Sequence, residues 1–128
     1  MKSCLLYFSM LVILSACSPS SLDDFRHEGE SICREFTKEL EKIETREQLI
    51  KAVPKIKAKF EKLATLMIEV KKFQQQQEML EENPAIEKTE ESLALLSQFK
   101  RIYQIESGKE IMEQAQKEAL YRLSVDVR

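Results

Sequence analysis

Few side chains in this chain have the types and spacing that chemistry demands. His27 is the sole histidine, with Asp23 four residues before it and Glu28 beside it. A helix over this stretch would set Asp23 and His27 on one face. A zinc ion takes three or four convergent ligands, and no His-Glu-x-x-His pattern occurs to supply them. A solvated histidine in a first helical turn is the reading these residues support. Carboxylates occur in pairs, as at Glu81/Glu82 and Glu90/Glu91. General acid–base work needs a pocket that shifts their pKa values, and on an amphipathic helix adjacent Glu residues belong to the solvated face. With Gly29 and Gly108 as the only glycines, neither a phosphate-cradling loop nor a Gly-x-Ser-x-Gly elbow can be built. Cys33 has no base placed to activate its thiol. The residues therefore predict no catalytic site, no metal site and no cofactor, and the chain reads as something other than an enzyme.

The three cysteines, Cys4, Cys17 and Cys33, do not make a disulfide framework. Their positions separate them. Lys2 followed by the apolar run Leu5 to Leu14, interrupted only by Ser9, has the layout of a secretory signal. The run is about half of the ~20 residues that a spanning helix requires. It ends in Leu14-Ser15-Ala16-Cys17. These four residues resemble the lipobox of bacterial lipoproteins: an aliphatic residue, a small residue, Ala or Gly, then the Cys that is lipidated. The resemblance implies a diacylglycerol on the Cys17 thiol, cleavage between Ala16 and Cys17, and an acyl chain such as palmitate on the new amine. Ser18 follows where Asp would retain such a protein in the inner membrane, so the resemblance implies an outer-membrane anchor. Each buried CH₂ contributes about 0.8 kcal/mol, and one chain alone holds only marginally, whereas two or three hold nearly permanently. Residues 1–16 are thus expected to be a signal peptide and residues 17–21 a lipidated tether. The Ser18-Pro19-Ser20-Ser21 sequence opposes helix continuation and stays solvated.

Residues 22–128 must then carry the fold. Charged residues at 33% and hydrophobics at 43%, with only 2 Gly and 3 Pro, suit long amphipathic helices better than disorder. Ser21 can cap a first helix running to about Glu44, with Asp23 and Asp24 favourable to its dipole. Phe25, Ile32, Phe36, Leu40 and Ile43 form its apolar face, and Cys33 lies beside them as a small hydrophobe. Thr45 to Gln48 fits a capping box. Pro54 argues for a short helical turn over residues 46–52, then a long helix from Pro54 to about Glu82. Leu49, Val53, Ile56, Phe60, Leu63, Met67 and Val70 alternate steps of four and three and make the best seam in the chain. Leu66, Ile68 and Phe73 widen it, as a helix inside a bundle requires.

Asn83-Pro84 breaks the chain, and Pro84 suits the first turn of another helix. Ile86, Leu93, Leu96, Phe99 and Tyr103 are expected along its buried side, with Leu95 and Ile102 adjacent. Gly108 can end that helix or lie within it, and Ser107 with Glu110 can box the start of the last one. Ile111, Met112, Ala115, Ala119, Leu120 and Leu123 make the final stripe. No stretch shows strand alternation. The expected class is all-α, a small bundle of three or four helices.

Charge is unevenly laid out. Pro54 to Phe73 carries six Lys and two Glu, whereas Gln74 to Ser92 carries six Glu and one Lys. The plain reading is solvated faces and complementary helix ends. The functional reading sets Lys55, Lys57, Lys59, Lys62, Lys71 and Lys72 against anionic lipid or an acidic partner. A net charge of −2, without exposed aromatics between the lysines, speaks against nucleic acid. Two readings of function follow. One is a lipid-anchored adaptor that presents a bundle face to an envelope protein, or that forms a homo-oligomer through the seam from Leu49 to Val70. The other is a carrier or holdase that takes an apolar ligand or an unfolded envelope protein between its helices, which requires a cavity or an apolar groove.

Overall fold

Ser21 opens the first helix as its sequence suggests. In the computed structural model, which describes residues 21–76 and 89–126, the Asp24 amide donates to Ser21 Oγ at 3.2 Å, and Asp23 and Asp24 occupy the first turn. The helix α1 spans Leu22–Glu41. Thr45 and Gln48 then form the expected capping box: the Gln48 amide donates to Thr45 Oγ1, and Gln48 Oε1 accepts from the Thr45 and Glu44 amides. The second helix, α2, spans Arg46–Gln76. After it come α3, Glu90–Tyr103, and α4, Gly108–Asp126. Every regular element among the described residues is a helix, so the all-α bundle is correct and its helices number four. The signal, Cys4, Ala16, Cys17 and the expected end of the long helix near Glu82 lie outside the described residues, as do Pro84 and Ile86.

Ion pairs fix the directions of the helices. Glu35 meets Lys59 at 2.7 Å and Glu39 meets Lys55 at 3.9 Å, so α1 and α2 run antiparallel. Arg34 meets Glu91 at 3.6 Å, while Arg101 reaches the carbonyls at the end of α1, so α3 runs parallel to α1. Met112 and Ala115 share the core with Leu49 and Ile56, while Arg122 meets Glu61 and Thr65 further along, so α4 runs parallel to α2. The result is two antiparallel hairpins stacked side by side, with α2 against α1 and α4, and α3 against α1 and α4.

All four helices meet at one core. Phe36, Leu40, Leu49, Ile56, Ile102 and Met112 are almost wholly buried there. The Phe36 ring stands edge-on to Phe60 and to Phe99, with centroids 5.0 and 5.5 Å apart, an arrangement that adds to simple burial. A second cluster, Phe25, Ile32, Leu66 and Val70, lies where α1 and α2 extend past the shorter hairpin.

Two sequence expectations need correction. The helix does not restart at Pro54; α2 passes through it unbroken. Pro54 costs the helix one hydrogen bond at the Ile50 carbonyl, but Pro54 and Ile50 both face solvent, where water can satisfy that group. Leu49 and Ile56, on either side, are buried in the four-helix core and hold the segment against it. Nor does Ser107 box the start of α4. It adopts φ 61°, a left-handed conformation unfavourable for a residue with a Cβ, and no Ser107–Glu110 hydrogen bond forms among the described residues. The chain turns over residues 104–107 instead, and the Gly108 amide donates to the Ile105 carbonyl at 2.8 Å. Gly108 is buried, and a Cβ on it would lie 2.0 Å from the Ile102 carbonyl oxygen. Close approach, not an unusual φ, is what requires glycine there.

This turn makes opposite outcomes expected at adjacent positions. Gly108→Ala must move backbone and should cost about 1–3 kcal/mol, whereas Ser107→Gly relieves a left-handed residue and should gain about 0.5–1 kcal/mol. Urea denaturation followed by circular dichroism reads both. Arg101 is the other sensitive point: its guanidinium donates to the Leu40 and Ile43 carbonyls at 2.6 and 2.7 Å, satisfying the open end of α1. Arg101→Ala should lower stability by about 1–2 kcal/mol, seen as a lower urea midpoint at unchanged slope.

Candidate functional site

The residues first considered for chemistry do not converge. His27 is exposed and lies 3.8 Å from Glu30, one turn along. Among the described residues no group of three His, Cys, Asp or Glu side chains is placed to hold a metal ion. Of the lysines, Lys55 and Lys59 are engaged with α1 carboxylates, so that side of α2 serves the α1 contact. The Lys59 ammonium, through its hydrogen bond and then its charge, holds the Glu35 carboxyl below its usual range. No helix among the described residues is long and apolar enough to cross a membrane.

Three grooves stand out among the described residues. The first lies between α1, α2 and the start of α3, lined by Phe25, Gly29, Cys33, Leu63, Leu66 and Met67, with a volume of about 210 Å³. Its position follows from the unequal hairpins. Thr89 caps α3 through a box with Ser92, so α3 begins level with Gly29 and Cys33, and the ends of α1 and α2 continue beyond it. The second groove, about 380 Å³, lies across the same seam and is lined by Glu28, Ile32, Glu61, Lys62, Thr65 and Glu69. The third, about 510 Å³, runs between α2 and α4 beside Lys57, Lys117, Tyr121 and Arg122. The first is the most apolar of the three, and it is smaller than the ~300–1,000 Å³ usual for a site that encloses a small molecule.

Cys33 sits in the wall of that first groove, half-buried. Burial pushes its thiol pKa up, and the nearby Glu91 and Glu30 carboxylates push it further. A raised pKa removes thiolate at neutral pH, so the residue behaves as a small hydrophobe.

The feature that sequence reasoning missed is on α3. Of the expected buried line, Leu93, Leu96 and Tyr103 face outward, Leu93 being 51% and Leu96 49% exposed, and only Phe99 turns to the core among the described residues. The core instead takes Leu95 and Ile102, one heptad apart, with Phe99 half-buried between them. Two apolar lines compete on this helix, and the contacts of Glu91 and Arg101 with α1 choose between them. On α4, Leu120 is likewise 53% exposed, although Met112, Ala115 and Ala119 are buried as expected. The seam on α2 behaves differently. Leu49, Ile56 and Val70 are buried against the chain's own helices, and Val53, Phe60, Leu63 and Met67 are partly so. Much of that surface is thus occupied within the chain.

Comparison with family models, with curated proteins and with solved structures found no match to this chain.

The thiol environment gives a direct check. Peptide-mapped maleimide labelling should find Cys33 much slower to react than a free thiol at pH 7, and faster as pH rises. Because its folded pKa lies above the unfolded one, the folded chain also loses stability as pH climbs above about 8.5, where the unfolded thiol ionises. Cys33→Ser should flatten that alkaline loss.

Proposed function

We propose that the chain is a lipid-anchored protein of the bacterial envelope, acylated at Cys17 and held at the outer membrane, whose helical bundle acts as an adaptor that presents a face to a protein partner. The observation that carries the adaptor reading is the outward-facing row Leu93, Leu96 and Tyr103 on α3. An apolar row left in water costs solubility, and a partner that covers it recovers about 25 cal/mol per Å². The anchor is supported by the Leu14-Ser15-Ala16-Cys17 pattern. Five residue steps separate Cys17 from Leu22, which limits the start of α1 to roughly 17 Å from the acylated residue. The adaptor would therefore work close to the bilayer surface.

The second reading, a carrier or holdase, is favoured by the apolar groove beside Cys33. Its volume of about 210 Å³ suits a short side chain or an acyl segment better than an unfolded chain. The adaptor reading accounts for more of the exposed apolar surface and is preferred. The anchor is tested by radiolabelled palmitate in cells making the wild type or Cys17→Ala, followed by membrane fractionation. Label on the wild type, with none on Cys17→Ala and retention of the longer precursor, is the expected result. An unlabelled wild type in the soluble fraction would sink the anchor.

A further inference from the structure

The outer side of the α3–α4 hairpin carries information about what covers it. On α3, Leu93, Leu96, Lys100 and Tyr103 share one exposed face, at steps of three and four residues. On α4, Leu120 lies about 200° around the helix from Arg122, the residue that grips α2. It therefore belongs to the side of α4 turned away from α2. The ends of α3 are oppositely charged, with Glu90 and Glu91 in the first turn and Lys100 and Arg101 in the last. Glu91 and Arg101 are spent on α1. Glu90 and Lys100 are exposed and make no ion pair or hydrogen bond among the described residues.

The geometry points to a second copy of this chain as the occupant, docked through α3 on an antiparallel α3 across a two-fold axis. In such a pair, the register that sets Leu93 against Leu96 of the second copy also brings Glu90 to Lys100 of the second copy. The symmetry repeats both contacts, so one arrangement satisfies two apolar pairs and two charge pairs. Self-complementarity of this kind is what a two-fold interface requires. The face is modest. A 14-residue helix is about 21 Å long, and with the adjoining flank of α4 it offers on the order of 500 Å² per copy, near the low end of specific interfaces. The dimer is thus a weak one, strengthened by any device that concentrates the chains on a surface. This names the partner of the adaptor face and rests on that part of the proposed function, but not on acylation of Cys17.

The test uses the full chain, made in bacteria with two different C-terminal tags and a photo-crosslinking amino acid in place of exposed Ser97. The expected product joins the two tags. Its yield should fall about tenfold or more in E90K and in K100E, where two attractive pairs become repulsive, and should return in the double variant E90K/K100E. Leu93→Asp should abolish it, with an unchanged circular dichroism spectrum showing that the bundle still folds. No product joining the tags, or one indifferent to these substitutions, would overturn the inference. Capture of a different protein at Ser97 would also overturn it while leaving the adaptor reading standing. A two-tag product from a chain without acyl label would keep the inference and sink the anchor.

Discussion

The four-helix core around Phe36 is the constraint to which the other features answer. One side chain from α1 touches rings from α2 and α3, and Met112 and Ala115 of α4 close the same cluster. Interiors pack nearly as densely as organic crystals, so the placement of these few side chains sets the rotation of every helix. Once Leu95 and Ile102 enter the core, Leu93 and Leu96 have nowhere to go but outward. Once Leu49 and Ile56 enter it, a proline at residue 54 is carried through the helix on its solvent side.

Polar contacts then set the ends. Ser21, Thr45 and Thr89 each cap a helix through a side-chain oxygen, and Arg101 satisfies the carbonyls where α1 stops. These bonds matter because the first four amides and last four carbonyls of a helix lack internal partners. They also lock the two hairpins in register. Arg101 bridges α3 to α1 at one end of the bundle, while Arg122 bridges α4 to Glu61 and Thr65 of α2 further along. The short hairpin covers only part of the long one, and the apolar groove beside Cys33 is the consequence.

For function, the division of labour is between ends and faces. The proposed anchor lies before α1, and the proposed partner face is the outer side of α3 with the adjoining flank of α4. The lysines of α2, the most conspicuous charges in the chain, are partly consumed in pairing with Glu35 and Glu39. Among the described residues, α3 turns outward an apolar row, Leu93, Leu96 and Tyr103, with the unpaired Glu90 carboxylate before it and the unpaired Lys100 ammonium within it.

The helical class, the start of α1 at Ser21, the capping box at Thr45 and most of the core of α1 and α4 were legible in the residues alone. Each depends on neighbours within a turn or two, where spacing and side-chain chemistry decide the outcome. The Leu14-Ser15-Ala16-Cys17 pattern is legible in the same local way, and the expectation attached to it concerns residues outside those described. What the residues could not decide is which side of α3 goes inside, because Phe99 lies between two apolar lines and periodicity joins it to Leu93, Leu96 and Tyr103 as readily as to Leu95 and Ile102. That choice required the docking of α3 on α1 through Glu91 and Arg101. Likewise, Pro54 reads locally as a break, and only burial of Leu49 and Ile56 against distant parts of the chain overrides it. Local chemistry sets where helices form and begin; contacts between residues some sixty positions apart set which of their faces remain for others to bind.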